Sequence, residues 1–82
     1  MNKAEKEEKI EKSKEAAIEF YKNLEEPIDL EVTKAEFSTE TNATIVFVYG
    51  HDKGNKDVLY HATVETADDY EVLSFGDDKE PK

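Results

Sequence analysis

Large apolar side chains are almost missing from the first fourteen positions, then recur at helical spacing. Residues 3–15, KAEKEEKIEKSKE, hold one large apolar residue, Ile10, whereas residues 16–24, AAIEFYKNL, are two-faced. On a helical wheel Ile10, Ala17, Tyr21 and Leu24 fall in one narrow stripe with Phe20 at its edge, which predicts a helix over 3–24. Glu5–Lys9 and Glu8–Lys12 are i,i+4 pairs in the favoured order and Lys22–Glu26 closes the last turn. Each such pair contributes only about 0.2–0.5 kcal/mol, enough to keep an exposed stretch helical without burying it. Pro27 ends the helix, because the residue before a proline is pushed out of the α region. The segment is roughly 33 Å long at about 1.5 Å per residue. A strand of roughly 7–9 residues spans only about 23–30 Å. The reading therefore lays only the second half of the helix on a sheet and leaves residues 1–14 as a solvated, charged start or stalk leading toward something else, such as a membrane anchor.

Beyond Pro27 the periodicity changes to two. The first strand, residues 30–38, continues the parity of Ile28 through Leu30 and Val32 and resumes with Ala35 and Phe37 on the other. That slip predicts a bulge or bend between Val32 and Ala35. Residues 39–42 form a polar turn. Residues 43–50, ATIVFVYG, are apolar on both parities over 45–49 and predict a central strand covered on both faces. HDKGNKD, residues 51–57, reads as a hairpin loop around Gly54 and Asn55. Residues 58–66 alternate, with Val58, Tyr60, Ala62 and Val64 opposite Leu59, His61, Thr63 and Glu65. After a short turn at 67–69, the fourth strand covers 70–75 and ends at Gly76.

One helix followed by hairpin-linked strands is an α+β pattern: an N-terminal helix packed across a four-stranded antiparallel meander. It occupies residues 15–76 as one domain, with 77–82 as a disordered acidic tail. Eighty-two residues suffice for one domain and a small core.

Charge narrows the function classes. Eleven basic residues face 21 acidic ones, net −10, and every basic residue is Lys. Direct nucleic-acid binding is disfavoured, since it requires a cationic surface that displaces counterions. The bidentate Arg fork suited to phosphate and carboxylate clamps is missing. Negative charge is densest toward the C-terminus: residues 67–82 carry six acids and two lysines. With no Cys there is neither a disulfide framework nor a thiolate metal site, and the compartment is left open. No run approaches the roughly 20 apolar residues of a membrane span, and no signal peptide is recognisable.

Candidate chemistry is sparse. His51 with Asp52 and Asp57 offers nitrogen and oxygen ligands from one loop, but a metal needs three or four that converge, and an ordinary hairpin loop explains the same residues. Residues 52–57 lack the ligand spacing of a calcium loop, and Lys53 and Lys56 oppose a cation. Asp68–Asp69 and Asp77–Asp78 fall in a turn and a tail, where water equalises carboxylates that catalysis would need to differ. Ser13, Ser38 and Ser74 are isolated, with no nucleophile elbow. Gly50 and Gly54 belong to a hairpin rather than a phosphate loop. Asn42–Ala43–Thr44 matches a glycosylation sequon, a short pattern that arises often by chance. Tyr49, Tyr60 and Tyr70 read as tyrosines packed on the sheet with hydroxyls at its rim, in preference to an aromatic recognition patch. No catalytic, cofactor-binding or metal-binding residue is assigned, and no cofactor is expected.

The order of a charged helix ending in EFYKNL, an extended EVTKAEF and the hairpin VFVYGHDKGNKDVLYHATV resembles small uncharacterised lipoproteins and membrane-anchored proteins of Gram-positive bacteria with a cystatin-like sheet. The likeness covers residues 3–75 in organisation. It implies an extracytoplasmic, N-terminally tethered domain and transfers no active-site residue. The anchoring cysteine of a lipoprotein is not in this sequence. The Gln-x-Val-x-Gly hairpin by which cystatins inhibit proteases is also missing, since the chain has no Gln.

The leading expectation is therefore a non-catalytic, monomeric domain that binds protein or cell-envelope partners and meets a membrane only through a segment outside this sequence. An alternative is an acidic inhibitor that mimics nucleic acid in the basic groove of another protein. A third is a small enzyme or ligand carrier with a pocket between helix and sheet.

Overall fold

The computed structural model describes residues 2–40 and 43–78. Helix α1 (Lys3–Lys22) lies across one face of a sheet formed by β1 (Leu30–Phe37), β2 (Ile45–Asp52), β3 (Asn55–Glu65) and β4 (Glu71–Asp78). The strands lie in chain order and every neighbouring pair is antiparallel. This is the α+β meander that the periodicities predict.

Asn2 starts the helix. Its Oδ1 accepts the Glu5 N–H at 2.9 Å while its Nδ2 donates to the Glu5 carboxylate at 3.2 Å, so two free groups of the first turn are satisfied together. The far end closes at Lys22, two residues earlier than predicted. There the Ile28 N–H, the first one beyond Pro27, folds back onto the Tyr21 carbonyl at 3.0 Å.

Ser13, Ala17 and Tyr21 are the buried residues of α1, four apart on one line. Ser13 falls inside the stretch expected to be solvated, yet it is 0% exposed, and Ile10 is half-buried. The sequence stripe misses Ser13 because it is polar. Its hydroxyl donates to the Lys9 carbonyl at 2.7 Å, which satisfies the side chain internally and lets a small residue face the sheet. Further toward the N-terminus, Lys6 Nζ stands 5.9 Å from the centre of the Phe37 ring.

Under the helix lie Leu30 of β1, Val46 and Val48 of β2, and Ala62 and Val64 of β3, all buried. Each of the larger ones contributes about 1.5–3 kcal/mol of burial. Val32, Ala35, Phe37, Tyr60 and Val72 extend this layer. The bulge predicted in β1 is present: pairing passes from Val32↔Gly50 to Lys34↔Tyr49, with Thr33 as the extra residue. This switch lets Leu30, Val32, Ala35 and Phe37 all face the core.

Three expectations are corrected. Strand β2 is central but covered on one face only. Val46, Val48 and Gly50 are buried beneath α1, whereas Ile45, Phe47, Tyr49 and His51 are half-buried by their strand neighbours alone. One helix cannot cover two faces. The hairpin loop shrinks to residues 53–54, because Asp52 pairs with Asn55 while His51 pairs with Leu59, so that residues 56–58 form an irregularity opposite. Gly76 does not end β4, which continues to Asp78 beside Leu59, so residues 77–78 are strand rather than tail. Gly76 lies against the His61 ring, where a Cβ would sit 3.2 Å from its Cε1. Residues 79–82 of the expected tail lie outside the described residues.

Candidate binding surface

The face turned away from α1 is assembled by the strand pairing. From Tyr49 the row runs through Lys34 on one side and His61 and Gly76 on the other. The adjacent rows place Glu36 beside Phe47 and Thr63, and Glu31 beside His51 and Leu59. Down the middle runs an apolar and aromatic strip of Ile45, Phe47 and Tyr49, with Leu59 on the next strand. Charged groups border it. Lys34 Nζ lies 5.8 Å from the Tyr49 ring centre and 3.5 Å from the Glu36 carboxylate.

His51 is held at both ring nitrogens. Its Nε2 lies 2.8 Å from Glu31 Oε2, its Nδ1 lies 2.9 Å from the Asp52 carbonyl, and its side chain is only 12% exposed. Both ring nitrogens are thus occupied, one across the strand and one locally. Neither Asp52 nor Asp57, the residues weighed as its co-ligands, joins it in a metal-holding group. Asp52 Oδ1 accepts the Gly54 N–H at 2.8 Å, and the Asp57 N–H donates to Asn55 Oδ1 at 3.1 Å. These contacts shape the hairpin tip, which Lys53 fastens to the α1–β1 connection: its N–H donates to the Asp29 carbonyl at 2.9 Å and its Nζ lies 3.6 Å from the Asp29 carboxylate. Among the described residues no group of three or more His, Cys, Asp or Glu side chains is placed to hold a metal ion.

Asp68, which the sequence sets beside Asp69, interacts with Glu71. Asp69 and Tyr70 have φ of 52° and 59°, and the Glu71 N–H donates to the Asp68 carbonyl at 3.1 Å. Two successive left-handed residues closed by that bond make a type I′ turn, normally built from Asn-Gly. The tight reversal brings the two carboxyl groups together. A hydrogen bond with Asp68 and the Asp68 charge raise the Glu71 carboxyl above its ordinary value. A non-glycine residue in the left-handed region costs on the order of 1 kcal/mol. Tyr70 tolerates it while packing against the core, with Lys12 Nζ 5.9 Å from its ring centre. Glu8, hydrogen-bonded to Lys12, raises the lysine above its ordinary value, and Tyr70 adds to the effect.

The remaining sequence candidates are dispersed. Ser13 is in the helix core, Ser38 accepts the Glu40 N–H at the end of β1, and Ser74 is exposed on β4. Asn42 of the sequon lies outside the described residues. Of the tyrosines, Tyr60 packs on Tyr21 at 5.3 Å between ring centres, Tyr70 joins the core edge, and Tyr49 alone lies on the uncovered face. The sequence reading overlooks Phe47, because a run apolar on both parities conceals which side stays open. No helix among the described residues is long and apolar enough to cross a membrane. The chain matches no protein-family model, no curated protein and no solved structure.

Proposed function

We propose that the chain is a non-catalytic domain that binds a protein partner through the sheet face opposite α1. We further propose that it is carried outside a bacterial cell on an N-terminal tether, in keeping with its resemblance to cystatin-like extracytoplasmic lipoproteins. One observation carries the binding reading: Ile45, Phe47, Tyr49 and Leu59 share a sheet face that no other element among the described residues covers, bordered by Glu31, Glu36 and Glu65. Aromatic residues at the centre of a patch with a polar rim are the composition of protein interfaces. The carboxylates of the rim favour a partner with basic groups. The mimicry alternative needs acids arrayed without cations, whereas α1 pairs Glu8 with Lys12 and Glu11 with Lys14 at 3.3 and 3.1 Å.

The experiment is site-specific photo-crosslinking in the source organism. A photoreactive residue at Ile45 or Phe47 is compared with one at Glu7 on the outer side of the helix. A discrete protein adduct from the two sheet positions only is expected. Equal adducts from all three positions, or none from the sheet, would end the reading. Fractionation of the same cells tests the tether, which predicts recovery with the envelope; a wholly cytosolic product rules it out.

A further inference from the structure

The sheet face opposite α1 has relief. Strand β2 carries Phe47 and Tyr49 there, and the same two rows end on β4 at Ser74 and Gly76. The His61 ring leans over Gly76, with its Cε1 3.2 Å from where a Cβ would sit. The surface therefore steps down from an aromatic ridge on β2 to a floor of small residues on β4. Two strand spacings separate ridge and edge, about 10 Å, which is the width of one helix.

The occupant follows from the backbone first. The N–H and C=O groups under this face are engaged in the sheet's own ladder. An extended segment laid on it would bury its backbone groups without partners, whereas a helix arrives with those bonds made within itself. Helix α1 covers the other face of the same sheet in this way.

Charge then sets the sequence of that helix. Glu65 and Glu71 share the row of Ile45 at one end of the apolar strip, Glu31 shares the row of His51 at the other, and Glu36 shares the row of Phe47. Glu31 and Glu36 lie 2.8 and 3.5 Å from His51 and Lys34, so a further cation there joins an existing pair. At the other end Asp68, through a hydrogen bond and its charge, raises the Glu71 carboxyl, and an arriving cation relieves that crowding. The rows of Ile45 and His51 are about 20 Å apart at about 3.4 Å per residue. A helix covers that distance in about 13 residues.

We infer that the face opposite α1 takes a helix of a partner protein, apolar along one stripe and bearing Lys or Arg at both ends of about 13 residues. The inference rests on the protein-binding reading above and gives its partner a structure and a charge. A second copy of this chain would instead bring a net charge of −10 and set the same acidic rim against itself.

The test uses the whole chain and a fluorescent peptide of about 16 residues, with Leu at helical spacing on one face, Lys at both ends and Ala between. A second peptide of the same composition has its Leu residues rearranged so that no stripe forms. The striped peptide is expected to bind at least tenfold more tightly, to gain helicity on binding, and to shift amides centred on Phe47, Tyr49 and Thr63. Phe47→Ala is expected to weaken it at least tenfold. Glu36→Lys, at an exposed position of the rim, is expected to weaken it at least threefold at low salt without moving the unfolding midpoint. Equal affinity of the two peptides would reduce the interaction to charge alone and overturn the inference. No binding, binding without a gain of helicity, or shifts confined to Phe20 and Phe75 would overturn it too. Crosslinked adducts from Ile45 and Phe47 without peptide binding would keep the face and reject the helix. Peptide binding without such adducts would reject the partner in the cell.

Discussion

Gly50 faces the carbonyl oxygen of Glu31 with no room for a methyl group between them. A Cβ there would overlap that oxygen and press on Leu30 Cδ1 at 3.1 Å. The crowding follows from the adjacent bulge, which draws β1 inward at Val32↔Gly50. Backbone cannot yield as a flexible side chain does. Gly50→Ala is therefore expected to destabilise by about 3 kcal/mol, at the upper end of overpacking costs. A fall in the urea midpoint measures it; an unchanged midpoint would mean that the two strands separate easily at this point.

Tyr21 is buried, and its hydroxyl donates to the His61 carbonyl at 2.6 Å and lies 3.3 Å from that of Gly76. Tyr21→Phe keeps the ring contacts with Phe20, Tyr60 and Phe75. Its expected cost is about 0.5–1.5 kcal/mol, that of one lost hydrogen bond between partly buried groups. Faster hydrogen exchange in β3 and β4 than in β1 should accompany it.

Ser13 reports on the distance between helix and sheet. Its hydroxyl donates back to its own helix, at the Lys9 carbonyl. Ser13→Ala is expected to change stability by less than about 0.5 kcal/mol, since alanine removes a hydroxyl that bonds locally and has the better helix propensity. Ser13→Leu has to enlarge a closed contact and is expected to cost about 1–3 kcal/mol. Thermal unfolding of the two variants separates a tight crossing from a loose one.

Glu71 sets a pH dependence of unusual sign for a carboxylate. Its folded value is raised above its ordinary one, so between the two the native state holds a proton that the unfolded chain has lost. Stability from this group is complete below about 4.5 and falls as pH rises through the raised value. Glu71→Gln keeps a donor toward Asp68 without a charge. The variant is expected to gain stability over wild type as pH is raised from 4.5 to neutrality, the two curves converging at acid pH. The exposure of the group keeps the effect small. Parallel melting curves of both proteins across that range decide it, and curves that never diverge would remove the Asp68–Glu71 contact.

The element order, the meander and the β1 bulge are legible in the sequence because each rests on a period: 3.6 for Ala17 and Tyr21, two for Leu30 and Val32, and a slip of one before Ala35. Features set by tertiary contact are not. Ser13 is polar, so no pattern of apolar residues reveals that it is buried. Gly54 and Asn55 signal a turn but not its length, and Gly76 signals a stop where it serves to admit the His61 ring. Of the candidate surface, the aromatic residues are visible in the run IVFVY, but their division into a covered and an uncovered side depends on where a single helix settles. The Asp68–Glu71 contact depends on a left-handed Tyr70 that no propensity favours.

Tyr21 and Gly76 stand 55 positions apart in the chain, and the hydroxyl of one reaches the backbone of the other. A ribosome delivers the helix well before its aromatic neighbour on β4, Phe75. Until then Phe20 has no partner ring on the final strand, and the nascent chain cannot close. Assembly is thereby deferred until β4 has been made, and a chain truncated before Phe75 would display an uncovered tyrosine and phenylalanine, the sort of surface that chaperones retain.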